Sequence, residues 1–563
     1  MEKYLNENSI ICKEQIGFKK GCRTSDHILT LKTIIDKAFK ASKKIFACFV
    51  DFKRAFDTVN REALLHKLMT YNIQGPFLNI IKDMYKEVKF SIKFQNNCTE
   101  FFPSKVGVKQ GCILSPTFFS LYVNDLTKLF DASCDPISLD GVNISSLLYA
   151  DDLVLLSDSA KGLQNCLNKL EEYSRQWNLT VNINKTKIMV FNKSGRKMDK
   201  DLFRFNNMNI EQCMEYKYLG IIFKPSGSFT EAIKQLCRKA SKAMFCIRKL
   251  LRSDSLNICQ HLKLFDSCVR PILLYGSEIW LLNTIKDRKD IEPKYFSMDI
   301  VKAQMKFMKS VLGVNRAAVN LAVLSELGMY PVSIYAFKAS IEYWLHIMKS
   351  EDSVVHHAYK TSINLKNSFA AKIKELLQKL GFTHVWDNQG TLSKRKLLFA
   401  ILNKLKEKYL CFWKNTIFDD SGSLYGHKLR TYRELKKNYA IENYLTLNID
   451  KYAITNFTKI RISNSSLEIE KGRHRGLEVK ERICPLCKLD TEDEFHFSIS
   501  CKKLIKSRTK MFNNIVNIIP AFQFMDDKEK FKFIFCTEEV DVLKVIVEGV
   551  NEMYCERDLF AKT

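Results

Sequence analysis

Negative charge is what this chain is short of: 62 aspartates and glutamates stand against 89 lysines and arginines among 563 residues, a formal net charge of +27 at pH 7. An excess of that size makes a polyanion the leading class of partner, either nucleic acid or an anionic membrane surface. Long apolar runs are missing too. No stretch of 18 or more apolar residues occurs, and the start, Met1 to Asn6, lacks the apolar core of a signal peptide. The expectation is therefore a protein without a membrane role, working inside the cell in the cytoplasm, the nucleus or both. Neither a GxGxxG loop nor a Walker loop is found, which argues against a doubly wound nucleotide fold. The 18 cysteines are scattered, and without an export signal they speak for reduced thiols rather than a disulfide framework. With 46% hydrophobic and 27% charged residues the composition is ordinary for a globular chain, and the length suffices for three or four domains.

What is present is an irregular alternation of strands and helices, followed from about Glu231 by a mostly helical remainder. A glycine-punctuated loop, residues 15–24, leads into a helical period over 26–41. The apolar run Ile45–Val50 reads as a buried strand with Asp51 at its exit. Helical stretches follow over 62–71 and 77–86, then alternating strands over 90–94 and 100–106, and a helix opened by Pro116 and running to about Leu129. Apolar runs at 144–148 and 153–156 flank Tyr149-Ala150-Asp151-Asp152, the pattern of a hairpin with two acids at its tip. A helix over 160–177, strands over 179–183 and 188–191, and a hairpin over 216–223 complete the series. This predicts an α+β sheet with helices on one face.

If the strand exit and the hairpin tip are neighbours, Asp51, Asp151 and Asp152 converge, and convergent carboxylates stay ionised only when cations neutralise them. Hard oxygen ligands suit Mg²⁺, and a pair of such ions supports phosphoryl transfer onto a 3′-hydroxyl with pyrophosphate as leaving group. The segments 46–57, 107–116 and 149–152 resemble, in that order, the A, B and C motifs of reverse transcriptases, most closely those of non-LTR (LINE-type) retrotransposons. Residues 177–191 are similar to motif D, 216–220 to the primer-grip motif E and 15–28 to a fingers motif.

The resemblance implies roles position by position. Asp51 and Asp151 would chelate both Mg²⁺ ions, with Asp152 a weaker or more distant ligand. Phe56 matches the steric gate that excludes a ribonucleotide 2′-OH, and Gln110 and Gly111 would line the nucleotide and template pocket, glycine permitting close approach. Tyr149 would support the primer end, with Tyr218, Leu219 and Gly220 in the grip. Lys185 or Lys187 would protonate pyrophosphate, Lys185 foremost. Arg23 would contact the triphosphate. A rival reading sets Asp57 beside Asp51 as in viral RNA-dependent RNA polymerases; Phe56 and the Tyr-Ala-Asp-Asp tip argue against it.

Downstream, Ile233, Leu236, Ala240, Met244, Ile247 and Leu251 recur at helical spacing, with Lys234, Arg238, Lys242, Arg248, Lys249 and Arg252 around the other faces. This predicts a thumb helix whose basic side follows a phosphate backbone. The segment 273–280 is expected to serve packing, and 283–293 to be a linker. Near the C-terminus, Cys484 and Cys487, eight residues, His496, four residues and Cys501 form a Cys₃His set suited to one structural Zn²⁺, with His474 a weaker candidate.

The expected architecture is a right-hand polymerase with partial fingers (1–44), a palm with an antiparallel sheet and inserted fingers segments (45–226) and a helical thumb (227–349). A helical accessory region (350–470), a zinc-binding segment (471–505) and a helical tail (506–563) would follow. The function implied is RNA-directed DNA polymerisation, with RNA template, DNA primer or target DNA, and deoxynucleoside triphosphates as partners. Upstream fingers motifs of the family and any nuclease domain are not found, so the reading includes a 5′-truncated copy, and as alternative a catalytically inactive nucleic-acid-binding remnant.

Overall fold

The computed structural model describes residues 1–195, 201–251, 257–284, 292–388, 393–419 and 426–560. The chain forms two compact units that do not follow chain order. The first comprises Met1–Ala232 with Gly276–Thr284 and Ala339–Lys394, the second Ile233–Tyr275, Ile285–Lys338 and Arg395–Thr563.

At the centre of the first unit is a four-stranded antiparallel sheet built from β1 (Ile45–Val50), β2 (Ser146–Tyr149), β3 (Asp152–Ser157) and β4 (Lys187–Phe191), in the order β4-β1-β3-β2. β1 is apolar at every position because both of its faces are covered. Phe46, Cys48 and Val50 share a core with Leu163, Cys166, Leu167 and Leu170 of the Ala160–Gln176 helix. On the other face Phe49 stacks on Tyr216 at 4.3 Å between ring centroids. Each fully buried Leu or Phe of this kind contributes roughly 1.5–3 kcal/mol, so the sheet is a firm platform for whatever projects from its strand ends.

The helices expected over 26–41, 62–71 and 77–86 are Thr24–Lys40, Arg61–Thr70 and Gly75–Lys86. Three expectations need correction. The strand over 179–183 is reduced to a single bridge between Val181 and Phe52, since the segment spends its backbone groups holding the exit of β1. The strand over 100–106 is instead a two-stranded ribbon, Lys89–Phe90 with Phe102–Pro103 and Lys93–Phe94 with Asn97–Cys98. The helix after Pro116 stops at Tyr122, and a separate 3₁₀ turn covers Leu126–Leu129. The hairpin over 216–223 forms as read, Tyr216–Tyr218 against Ile221–Phe223.

Beyond Thr230 the named elements are all helical among the described residues. The Thr230–Leu251 helix buries Ile233, Leu236, Ala240, Met244 and Ile247 and exposes Lys234, Arg238, Lys242 and Lys249, while Arg248 is half-buried. Arg252 and most of the 283–293 stretch lie outside the described residues. Leu273 and Trp280 are fully buried, in line with a packing role for 273–280. No described helix is long and apolar enough to cross a membrane.

Candidate active site and metal centre

Asp51 leaves the sheet at the end of β1, where Val50 is paired with Leu153 of β3. Continuing that register by one residue sets Asp51 opposite Asp152, and Asp152 is in turn paired with Tyr149 across the β2–β3 hairpin. Two antiparallel pairings thus bring together acids that are a hundred residues apart in sequence. Their mutual field is evident. Desolvation, then the charges of Asp151 and Asp51, push the Asp152 carboxyl up to about 6, although its side chain keeps solvent contact. Asp151 is raised by desolvation first and by Asp51 as well. Carboxylates in this state are relieved by a divalent cation, and their oxygen chemistry suits a hard metal ion, although among the described residues the three acids are not a group whose ligand atoms all lie within 4.8 Å of one another.

The hairpin tip is strained and clamped. Ala150 has φ +56°, a conformation that costs an L-residue roughly 1–2 kcal/mol. The fully buried Gln15 compensates. Its Oε1 accepts from the Ala150 N–H at 3.0 Å and from the Gly17 N–H at 2.9 Å, and its Nε2 donates to the Ala150 carbonyl at 3.3 Å. Position 17 must be glycine here, since a Cβ would lie 2.2 Å from the Ala150 nitrogen. Residues 14–16 pair with β2 through Ile16 N–H to Leu148 O and Leu148 N–H to Glu14 O, both 3.0 Å. The buried His27 places Nε2 2.9 Å from Glu14 O and 3.1 Å from Leu148 O, and its burial pulls its pKa down to about 4. A neutral ring donating from Nε2 therefore serves this junction.

The exit of β1 is held from the other side. Thr186 Oγ1 accepts from the Asp51 N–H at 3.2 Å, and Asp51 O accepts from the Asn182 N–H at 2.7 Å. Gln15, His27 and Thr186 were not singled out from the sequence. The glutamine before Ile-Gly-Phe and the threonine inside Asn-Lys-Thr-Lys were the available signals, but nothing local announces a partner 135 residues away.

The other candidate residues fall as follows. Lys185 is largely exposed with Nζ 3.9 Å from Asp51 Oδ2, whereas Lys187 is tied to Glu211 at 2.6 Å. The structure thus brings Lys185, not Lys187, to the acids. Phe56 is half-buried, stacked on Phe119 at 4.4 Å and edge-on to Phe18 at 6.4 Å. Gln110 Nε2 donates to Asp57 Oδ1 at 2.8 Å, so Asp57 is engaged by the very residue expected to line the pocket. Gly111 is exposed and Tyr149 half-buried. Tyr218 and Leu219 are buried, the Tyr218 ring 5.6 Å from that of Phe49 on β1, and Gly220 is partly exposed. Arg23 is exposed at the head of its helix; desolvation raises the half-buried Glu278 carboxyl, and the Arg23 charge offsets a minor part of that rise, while no contact between Arg23 and the three acids is seen among the described residues.

In the second unit Cys484, Cys487, His496 and Cys501 present four ligand atoms all within 4.8 Å of one another. Cys484 Sγ is 4.0 Å from Cys501 Sγ, and Cys487 Sγ is 3.3 Å from His496 Nε2, spacings that suit the edges of a tetrahedron with bonds of about 2.0–2.3 Å. The group is able to hold a metal ion. His474 is exposed and outside it, which removes the weaker candidate. Glu492, next to this cluster, is fully buried and paired with the equally buried Arg557 at 2.7 Å.

Residues 1–223 match the family described as Reverse transcriptase (RNA-dependent DNA polymerase). Asp51, Asp151 and Asp152 all lie within the matched span. Its kin are non-LTR elements: the chain is 27% identical over 285 residues to "Probable RNA-directed DNA polymerase from transposon BS" of Drosophila melanogaster, covering 49% of this chain and 31% of that protein. It is 25% identical over 277 residues to "RNA-directed DNA polymerase from mobile element jockey" of Drosophila funebris, covering 48% and 30%. The first 223 residues are thus similar to the reverse transcriptase domain of retrotransposon polymerases. The matches span about a third of the length of these relatives. Among solved structures, apo telomerase from Candida Tropicalis superposes with a TM-score of 0.33 at 12% identity, over 71% of this chain and 59% of that one, too loose a likeness to bear on the fold.

Proposed function

We propose that the chain is an RNA-directed DNA polymerase that extends a DNA primer with deoxynucleoside triphosphates on an RNA template. The observation that carries this is the convergence of Asp51, Asp151 and Asp152 at one strand exit, where burial and the neighbouring charges raise the carboxyls of Asp151 and Asp152. Asp51 and Asp151 would hold two Mg²⁺ ions, with Asp152 as auxiliary ligand, and such ions would supply Lewis-acid activation of the primer 3′-hydroxyl and charge neutralisation at the phosphates. Around them the chain's own groups position the reactants. Phe56, wedged between Phe119 and Phe18, closes the space a 2′-OH needs. Gln110 and Gly111 face the incoming nucleotide, and Tyr149 with the 218–220 turn supports the primer end. Lys185 gives a proton to pyrophosphate, a role its exposure and its distance to Asp51 support. Arg23, exposed at the head of the Thr24–Lys40 helix, contacts the triphosphate.

The chain's segments take the right-hand layout set out above, with the basic face of the Thr230–Leu251 helix following the template–primer backbone and Cys484, Cys487, His496 and Cys501 binding one structural Zn²⁺. Primer extension on poly(rA)/oligo(dT) with Mg²⁺ tests the proposal, run beside a chain carrying both Asp51→Ala and Asp151→Ala. Extension by the unmodified chain alone is the expected result. Salt-sensitive template binding without extension in either protein would instead mark a chain that only binds nucleic acid.

A further inference from the structure

The ribbon of residues 89–103 belongs to the first unit and is exposed on both faces. Alternation places Phe90, Ile92 and Phe94 on one face, with Phe102 directly opposite Phe90. Their exposures are 45, 59, 73 and 44%, and the neighbouring Phe101 reaches 74%. Apart from an inter-ring distance of 6.5 Å between Phe90 and Phe102, no ring contact covers these aromatics among the described residues. Lys89 and Lys93 occupy the alternate positions, exposed, and Lys105 follows at the base. Glu100 is the single carboxylate between 89 and 106. A two-stranded ribbon is marginal in water, and a contiguous exposed aromatic face marks a contact surface.

The base, by contrast, is fixed. Arg61 donates to the carbonyls of Ser104 at 2.6 Å, Val106 at 3.0 Å and Gly107 at 2.9 Å. The Gly107 N–H reaches Val59 O at 2.8 Å and the Val108 N–H reaches Phe56 O at 2.9 Å. Gly107 packs so tightly that a Cβ would meet Asp57 O at 2.6 Å. An adhesive, open tip is thus carried on a rigid root that runs straight into Phe56 and Gln110.

We propose that this ribbon docks single-stranded RNA, the unpaired part of the template, around both of its faces: bases stack on Phe90 and Phe94 on one face and on Phe101 on the other, where Lys89 and Lys93 meet phosphates. Charge favours this occupant. Rings interleaved with lysines and one carboxylate suit a strand whose every base offers a π-face and every linkage an anion. The inference rests on the polymerase reading for the identity of the strand.

The test is binding of a labelled, unstructured oligoribonucleotide to the full chain and to a variant carrying Phe90→Leu, Phe94→Leu and Phe101→Leu. Leucine keeps apolar area and charge and removes the stacking surface; the exposure of all three sites spares the core. Affinity is expected to fall on the order of tenfold or more, and Phe→Tyr at the same sites to leave it within about twofold. Lys89→Ala with Lys93→Ala should reduce the slope of log affinity against log salt by about 1.4. Unchanged RNA affinity in the leucine variant overturns the proposal, as does a ribbon-dependent dimer that leucine preserves. Primer extension measured alongside separates the two readings. Extension that requires Asp151 with leucine-insensitive RNA binding sinks the ribbon alone; leucine-sensitive binding without Asp151-dependent extension sinks the polymerase reading alone.

Discussion

The three carboxylates of the first unit and the Cys₃His group of the second are both candidate metal sites, and they are built in opposite ways. The carboxylates come from strand ends distant in sequence, are partly open to solvent, and repel one another. The thiol site is assembled within 18 residues, from Cys484 to Cys501, with Cys484 and Cys501 buried, and has a saturated ion pair, Glu492 with Arg557, beside it. One site leaves charge unmet so that an exchangeable ion and a substrate can complete it. The other has four donors enough to close a coordination shell, which is what a structural ion needs. The difference shows how donor chemistry and assembly distance together distinguish an open, charge-repelling acid cluster from a closed set of four donors.

The largest expected contrast is catalytic. Asp151→Asn should lower primer extension by roughly 10³-fold or more while template affinity changes little, because it removes a metal donor and no backbone contact. Equal loss of binding, read by fluorescence anisotropy, would make the acid structural and erase the contrast with the thiol site. Cys487→Ser should do the reverse. Elemental analysis is expected to show bound zinc falling from about one ion toward zero, with a lowered unfolding midpoint for the whole chain, since binding energy at such a site is folding energy. Unchanged zinc content would remove the assignment.

A pH experiment sharpens the comparison from the scaffold side. The folded-state pKa of His27 is about 4, below the ordinary value near 6.5, so the folded state holds a neutral ring. The stability this contributes is complete above pH 6.5 and is lost as pH falls from there to about 4, on the order of 3 kcal/mol at 1.36 kcal/mol per pH unit. Urea denaturation across that window should show the slope, and His27→Gln should flatten it. Finally, Gln15→Ala leaves the buried N–H groups of Ala150 and Gly17 without their acceptor, a cost of about 1–3 kcal/mol. Its expected signature is a several-fold loss of extension at saturating template with template affinity intact. A stability loss with no change in extension would mean the clamp serves the fold and not the acid-bearing turn.

Much of this was legible in the chain itself. Val50 followed by Asp51, and Asp151-Asp152 between two apolar runs, announce a strand exit and a hairpin tip, because period-2 burial leaves its mark on consecutive residues. The Cys₃His spacing is likewise local, and so is the apolar stripe of the Thr230–Leu251 helix. The segment 179–183 misled because alternating apolar residues there, Leu179 and Val181, bury their side chains without joining a ladder. Residues 100–106 misled because Glu100 and Phe101 lie between the two paired stretches of the ribbon, outside either ladder.

The sequence by itself determined which chemistry is possible: three acids, a bulky ring at position 56, a lysine pair and four zinc-type donors, each recognisable by residue type and near neighbours. Only the tertiary structure decided which of these meet. It gave Lys185 to Asp51 and Lys187 to Glu211, engaged Asp57 with Gln110, left His474 out of the thiol group, and set Gln15 against Ala150. Such choices depend on strand register and on burial of partners up to 135 residues apart, and long-range pairing of that kind is a property of the packed core that no local window of sequence contains.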